Sequence, residues 1–376
     1  MKIVHIIDLL HAGGAQTLLV TYAQQAKLAG IEAHIISLRE YTAASAPISN
    51  ALDKLGVKVT FLSKSKILDP IRLFKLISLI RHQEYDIIHT HLNHATVLGI
   101  LSALWLNKTI VVSVHNVLKG RKKRLSEELE LFLLRYADCI IAVGENVNAD
   151  YSPLFPDKVV TLPNAVNEVP SMESAQRANI RRLLTGNVEA PLLIAVGRLN
   201  EQKGFDTLIQ AFEIIHSQFP QVHLIVAGRG NLGEALQTDT TSRGLQNNLH
   251  WLGLRDDVPL LLAASDIYIS SAYWEGLSIA LLEAMSAGLP SVITAVGDAE
   301  KVITPETGIL VPPRSPERLA KEIIGLLSDT KKSQRIGKAA KERIRENFGA
   351  KAWFNKLFEI YYKTAFRHAN NEKRIH

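Results

Sequence analysis

Short runs of β-branched and other apolar residues alternate along this chain with longer stretches in which apolar positions recur every three or four residues. In the first half, "KIVHII", "AHIISL", "KVTFL", "DIIHTH", "TIVVSVH", "CIIAVG" and "VVTLP" predict strands. Between them, "AQTLLVTYAQQAKLAG" and "PIRLFKLISLIRHQEY" predict helices, the first stopping at Gly30. Strands that read as nearly continuous apolar runs, separated by amphipathic helices, predict parallel sheets covered by helices: an α/β fold class.

The pattern restarts after "PNAVNEVPSMES", with strands at "PLLIAVG", "HLIVAG", "LHWLG", "DIYISS", "PSVITAV" and "GILVP". Two α/β domains thus flank a polar, proline-containing linker near residues 164–175, and 376 residues suit two domains of moderate size. We divide the chain at 1–165, 166–350 and a C-terminal helix over 351–376. In that last segment, "KAWFNKLFEIYYKTAF" carries Trp353, Phe354, Phe358, Tyr361, Tyr362 and Phe366 at helical spacing, which predicts an aromatic stripe docked on a neighbour. The final "HANNEKRIH" is expected to fray.

Composition narrows the function classes. The single cysteine, Cys139, precludes a disulfide within the chain, fits a reducing cytosol, and reads as a small buried strand residue. "MKIVHIIDLL" does not read as a signal peptide, because His5 and Asp8 interrupt its apolar run. No stretch reaches the roughly 18–20 apolar residues of a membrane span. A formal charge of +6 and a pI near 9.2 suit anionic partners. The cluster Lys119, Arg121, Lys122, Lys123 and Arg124 reads as a solvated face or as a contact with an anionic membrane surface. Nucleic acid is not expected, since no reading motif or interleaved aromatics accompany the charge.

Ligands of parallel α/β sheets sit at the carboxyl ends of the strands, so the residues after each strand are the place to look. After the first strand, "HAGGAQT" puts Gly13 and Gly14 where a helix begins; they are either turn glycines or a place for backbone amides to approach a phosphate. The loop "GRLNEQKG" places Arg198 and Lys203 between a strand end and a helix start, where a fork and a point charge could neutralise a diphosphate without a metal. In "WEGLSIALLEAMSAGLP", Ser278 is a good N-cap, which leaves Glu275 in the loop and Glu283 in the second helical turn. The amides near Leu277–Ile279 could hold a phosphate, and each carboxylate could accept from sugar hydroxyls. His89, His91 and His94 in "HTHLNHA" suggest a metal, but no Cys or Glu set completes the coordination; no metal and no cofactor are expected.

"GRLNEQKG" followed by "EGLSIALLEAMSAGLP" resembles the retaining family 4 glycosyltransferases of the GT-B fold, whose E-x7-E motif matches Glu275 and Glu283. The glycine-rich N-terminal loop, "PNAV" and "DDVPLLLAASDIYISSAYWEGL" extend the resemblance over nearly the whole chain, most strongly in 190–315 and least in 40–85. It implies two Rossmann-like parallel-sheet domains facing a cleft, with the C-terminal helix packing back on the N-terminal domain. It implies that Arg198 and Lys203 hold the donor diphosphate, that Glu283 binds the ribose, and that Glu275, with Gly276, Leu277 and Ser278 beside it, holds the transferred sugar. Gly13 and Gly14 would approach the diphosphate, Gly228, Gly230 and Leu254 would border the nucleobase, and His115 in "SVHNV" matches the active-site histidine. The sequence departs from the family pattern at Asp298 in "AVGDAEKVI", where a second glycine is frequent, at Ala165 in "PNAV", and at Leu277, where phenylalanine is usual.

The activity so implied is transfer of a sugar from a nucleotide-sugar, UDP-sugar favoured, to a glycan or lipid-linked acceptor with retention. It would serve surface polysaccharide or lipopolysaccharide-type biosynthesis in the cytoplasm, or on the inner face of the plasma membrane. Two alternatives stand beside it: a nucleotide-sugar epimerase or hydrolase, which would need a cleft acid–base set that is not evident, and a non-catalytic protein that keeps the fold, against which the intact Arg198, Lys203, Glu275 and Glu283 argue.

Overall fold

The computed structural model describes residues 1–11, 13–62, 69–118 and 125–372. Two compact units emerge, one of Met1–Asn164 with Ala350–His376 and one of Ala165–Gly349.

The first unit is built on seven strands: β1 Ile3–Ile7, β2 His34–Ser37, β3 Lys58–Phe61, β4 Ile87–His91, β5 Thr109–Val114, β6 Cys139–Ala142 and β7 Val159–Thr161. Their order is β3-β2-β1-β4-β5-β6-β7, and every pairing is parallel. The five inner strands are buried throughout, while β3 and β7 are partly exposed, as edge strands are. Cys139 is buried in β6, as its neighbours predict. Strand order reverses between β1 and β4, which opens a crevice at their carboxyl ends.

Register decides what covers one face of this sheet. His5 of β1 pairs with His89 of β4, and His91 pairs with Ser113 of β5. Residues paired in register point to the same face, so His5, His89, His91 and Ser113 form one polar seam in an otherwise apolar core. The helix Gly14–Leu28 covers the seam with Tyr22, and the helix Ala350–Glu372 covers it with Trp353 and Leu357.

That C-terminal helix packs on the Gly14–Leu28 helix and on β5, both in the N-terminal part of the chain. Trp353, Phe354, Leu357 and Tyr361 are buried, with the Phe354 ring 5.6 Å from that of Tyr22. Each such side chain contributes about 1.5–3 kcal/mol by leaving water. The aromatic stripe is narrower than its spacing predicts. Tyr362 and Phe366 are 63 % and 70 % exposed, because the helix turns them away from the face that carries Tyr361. The helix also continues to Glu372, past the start of the segment expected to fray, and His368 Nδ1 lies 3.1 Å from the Asp138 carboxylate.

The second unit has six strands, β8 Leu192–Val196, β9 His223–Ala227, β10 Leu249–Gly253, β11 Ile267–Ser270, β12 Ser291–Thr294 and β13 Ile309–Val311. They run in parallel in the order β10-β9-β8-β11-β12-β13, so order reverses between β8 and β11. Its core gathers Leu193, Phe205, Phe212, Leu224, Ile267 and Val292 among others. Arg181 anchors the helix Ser174–Thr185 to this sheet. Its guanidinium donates to the Val188, Ala190 and Ala264 carbonyls at 2.5–2.9 Å and to both carboxylate oxygens of Asp266 at 3.0 Å. Asp266 in turn accepts from the Leu192 amide at 2.8 Å, so the strand starts of β8 and β11 share one staple. Among the described residues, no helix is long and apolar enough to cross a membrane.

Candidate functional site

The reversal between β8 and β11 brings together two loops that are distant in the chain. The loop after β8 carries Arg198 and ends in a short 3-10 turn, Glu201–Lys203, before the helix Phe205–Gln218. The loop after β11 runs from Ser271 to Ser278. The Tyr273 amide donates to the Gln202 carbonyl at 2.8 Å, the Ser271 hydroxyl to the Lys203 carbonyl at 3.0 Å, and the Gln202 side-chain amide to the Trp274 carbonyl at 3.0 Å. Gly204 makes this approach feasible: its φ is 59°, and a Cβ there would fall 2.2 Å from the Ser271 carbonyl oxygen.

The two site residues these loops hold are paired with each other. The Lys203 ammonium donates to the Glu275 carboxylate, and both side chains are about four-fifths shielded from solvent. Gln202 Nε2 approaches the other Glu275 oxygen at 3.4 Å. Arg198 stands exposed on the same loop as Lys203.

Gly276 and Leu277 are buried where the chain enters the helix Ile279–Ser286. Ser278 occupies the N-cap position, but its hydroxyl makes no capping bond and meets the Tyr268 phenol instead. The first amides of this helix are therefore free of a side-chain cap, leaving donors and the positive end of the helix dipole beside Glu275. Glu283 lies in the second turn, where burial pushes its carboxyl up to about 7.

Gly228 follows β9, and its amide donates to the Gly253 carbonyl at 2.8 Å, next to Leu254. A Cβ at Gly228 would lie 1.8 Å from the Gly197 carbonyl oxygen, so glycine here lets the loop after β9 cross the one bearing Arg198. The departures from the family pattern fit without disturbing this frame. Asp298 is buried and its amide donates to the Gly276 carbonyl at 3.1 Å, while Ala165 and Leu277 are buried as well.

The remaining expected residues belong to the other unit. Gly13 and Gly14 open the helix after β1, with the Thr17 amide on the Gly13 carbonyl at 2.9 Å. His115 follows β5, partly exposed, and burial of its ring pushes its pKa down to about 4. Its Nε2 lies 3.2 Å from Nδ1 of His91, whose Nε2 lies 3.0 Å from Nδ1 of His5. His89 is bound separately, by the Tyr361 hydroxyl at 2.6 Å and the Ser113 hydroxyl at 2.8 Å. Lys119 to Arg124 lie outside the described residues.

The metal question has a different set of residues from the one the sequence suggests. His94 leaves the group, because its Nδ1 pairs with Asp8 at 2.9 Å. His5 takes its place: ligand atoms of His5, His89 and His91 lie within 4.8 Å of one another, a spacing an ion could use. Five of the six ring nitrogens already hold protein partners, so coordination would have to displace hydrogen bonds that satisfy the buried rings. Gln202, Tyr273 and His5 were not legible in advance. They act through strand neighbours tens of residues away, and no local motif marks them.

Comparison with known proteins bears on both units. Residues 12–169 match the model described as "Glycosyltransferase Family 4", and residues 176–343 the one described as "Glycosyl transferases group 1". Over 336 residues the chain is 26 % identical to the UDP-Gal:alpha-D-GlcNAc-diphosphoundecaprenol alpha-1,3-galactosyltransferase of Escherichia coli, covering 84 % of this chain and 86 % of that one. It is 26 % identical over 223 residues to the lipopolysaccharide core biosynthesis glycosyltransferase LpsE of Rhizobium meliloti, covering 59 % and 63 %. The fold is that of Anabaena HepE, solved in complex with UDP-glucose, at a TM-score of 0.86 with 22 % identity over 96 % of this chain and 100 % of that one.

Proposed function

The chain belongs to glycosyltransferase family 4, and we propose that it moves a hexose from a uridine diphosphate sugar to a lipid-linked or glycan acceptor. Membership makes it a retaining glycosyltransferase that uses a nucleotide-sugar donor. The uridine preference is supported by the UDP-Gal in the name of the E. coli relative and by the UDP-glucose in the HepE crystal. The acceptor class is supported by the diphosphoundecaprenol in the first name and the lipopolysaccharide core in that of LpsE.

The observation that carries this reading is the pairing of Lys203 with Glu275 beside the uncapped helix start at Ser278, with Glu283 one turn further on. Cleavage of the sugar–phosphate bond leaves a diphosphate with extra negative charge, and stabilising it is the main catalytic need. Lys203, Arg198 and the first amides of the Ile279–Ser286 helix supply positive potential for that purpose, without requiring a metal. Glu275 holds Lys203 in place until the donor arrives, then takes sugar hydroxyls, and Glu283 accepts from the ribose. Gly13 and Gly14 approach the diphosphate, Gly228 and Leu254 border the base, and His115 contacts the transferred sugar. The departing phosphate oxygen accepts the acceptor's proton as the new bond forms, so no separate base is needed.

Purified protein incubated with UDP-, GDP- and ADP-hexoses and a polyprenyl-diphosphate-sugar acceptor tests this reading. One UDP-hexose should yield an α-linked product. Product from a GDP- or ADP-hexose alone overturns the uridine assignment. Reaction on this acceptor would take place at the inner face of the membrane, with Lys119, Arg121, Lys122, Lys123 and Arg124 as the contact. Neutralising all five should slow transfer to acceptor in anionic vesicles, and an unchanged rate would remove the contact from the account.

A further inference from the structure

The polar seam under the first sheet contains two histidines, His5 and His91, that the proposed reaction does not use. His5, His91 and His115 form a chain of imidazoles joined by two ring-to-ring hydrogen bonds, at 3.0 Å and 3.2 Å. His5 and His91 are 1 % and 2 % exposed, and only His115 reaches the surface. Helices clamp the chain: Tyr22 sits over His5 with ring centroids 4.1 Å apart, and the His5 and His91 rings stack 16° from parallel. The other polar groups around it are His89, Ser113 and Tyr361, which bond one another rather than the chain, and the Tyr22 hydroxyl, which has no hydrogen-bond partner among the described residues.

Proton counting constrains such a chain. A neutral imidazole carries one N–H, and each link needs one donor and one acceptor. If His91 is protonated at Nδ1, it donates to His115, which must then carry its own proton at Nδ1. His5 in that case donates from Nδ1 and its Nε2 is bare. If His91 is protonated at Nε2, every assignment reverses, and His115 presents a bare Nδ1. No third neutral arrangement keeps both links. His5 Nε2 has no protein partner among the described residues, and a buried orphan donor is rarer than an orphan acceptor. That favours the first arrangement.

We propose that His91 is a positioning residue for His115: the chain His5–His91–His115 locks the His115 ring in one tautomer, with Nδ1–H offered as a donor at the surface. The inference extends the proposed function, because it rests on that reading for the use His115 makes of this donor. Burial, which pushes the pKa of His5 down to about 3 and that of His115 to about 4, keeps the chain neutral at ordinary pH.

The test is ring 15N NMR of His115 in the free protein, assigned with a His115→Gln variant. Wild-type protein should show a single Nδ1–H tautomer. His91→Phe, which fills the volume without either bond, should give averaged tautomer shifts and a His115 that protonates closer to an ordinary histidine. Turnover should fall on the order of 10- to 100-fold through kcat with little change in the donor KM. His91→Gln, which keeps polar contact, should recover part of that loss. His91→Leu, which is less bulky, provides a second route should His91→Phe fail to fold, since it also removes both links. Unchanged His115 shifts in a folded His91→Phe or His91→Leu protein overturn the proposal. Altered shifts with unaltered turnover leave the chain standing and remove His115 from the reaction.

Discussion

Lys203 and Glu275, seventy-two residues apart in sequence, donate and accept across the mouth between β8 and β11. On the proposed reading, the donor diphosphate would compete with a carboxylate already in place for the same ammonium. Glu275→Gln should separate the two roles of Glu275. UDP alone should bind at least as tightly as to wild type, because Lys203 is released, while turnover of the UDP-hexose falls about 10- to 100-fold through lost charge-assisted contacts of about 1.5–3 kcal/mol. Calorimetry with UDP and steady-state kinetics check the two halves separately.

On the proposed reading, Glu283 would link donor binding to pH. Its carboxyl is raised to about 7 by burial, and the ribose hydroxyls it would accept from favour the ionised form. Donor affinity should rise as pH increases through about 7 and level off above it, with a proton released on binding below that point. In the free protein the sign is opposite. The folded state holds the proton more tightly than the unfolded chain, so the stability this group contributes is present below pH 4.5 and lost as pH rises through about 7. Glu283→Gln should flatten both profiles, as measured by calorimetry in buffers of different ionisation enthalpy.

The thirteen strands of the described residues are legible in the sequence, because parallel strands, buried or at an edge, read as short apolar and β-branched runs. Arg198, Lys203, Glu275 and Glu283 are legible as residue types at strand ends. Their mutual contact is not, since it follows from β11 lying beside β8 rather than beside its chain neighbour β10. The same limit hid His5. Only register sets it opposite His89, and "HTHLNHA" draws attention to His94, which the fold turns toward Asp8. Tyr362 and Phe366 show the converse failure. Helical spacing groups them with Tyr361, but burial depends on which arc of the helix meets β5 and the Gly14–Leu28 helix.

Arg181 should be among the costliest residues to lose in the second unit. Removing its guanidinium leaves three carbonyls and part of the Asp266 carboxylate without their donors. Asp266 is 31 % exposed and can regain water, so we expect about 3 kcal/mol of destabilisation for Arg181→Ala, toward the lower end for a broken buried pair. Urea denaturation with an unchanged m-value should show it.

Tyr361→Phe tests the docking of the C-terminal helix on the polar seam. The ring remains, but the hydroxyl at 2.6 Å from His89 Nδ1 is lost, and a fully buried imidazole nitrogen is left unpaired. Stability should fall by about 1–3 kcal/mol. Donor affinity should change little, since Tyr361 bonds His89 and neither His115 nor the loops that carry Lys203 and Glu275.

The most direct measurement is the dissociation constant for a UDP-hexose, by calorimetry without added metal, in wild type, Lys203→Ala and Glu283→Ala. Measurable binding is expected in wild type, with a loss of about 10-fold or more in each variant and each protein still folded. Equal affinity in all three would contradict the proposed donor site, because the donor would then be held somewhere other than the mouth between β8 and β11.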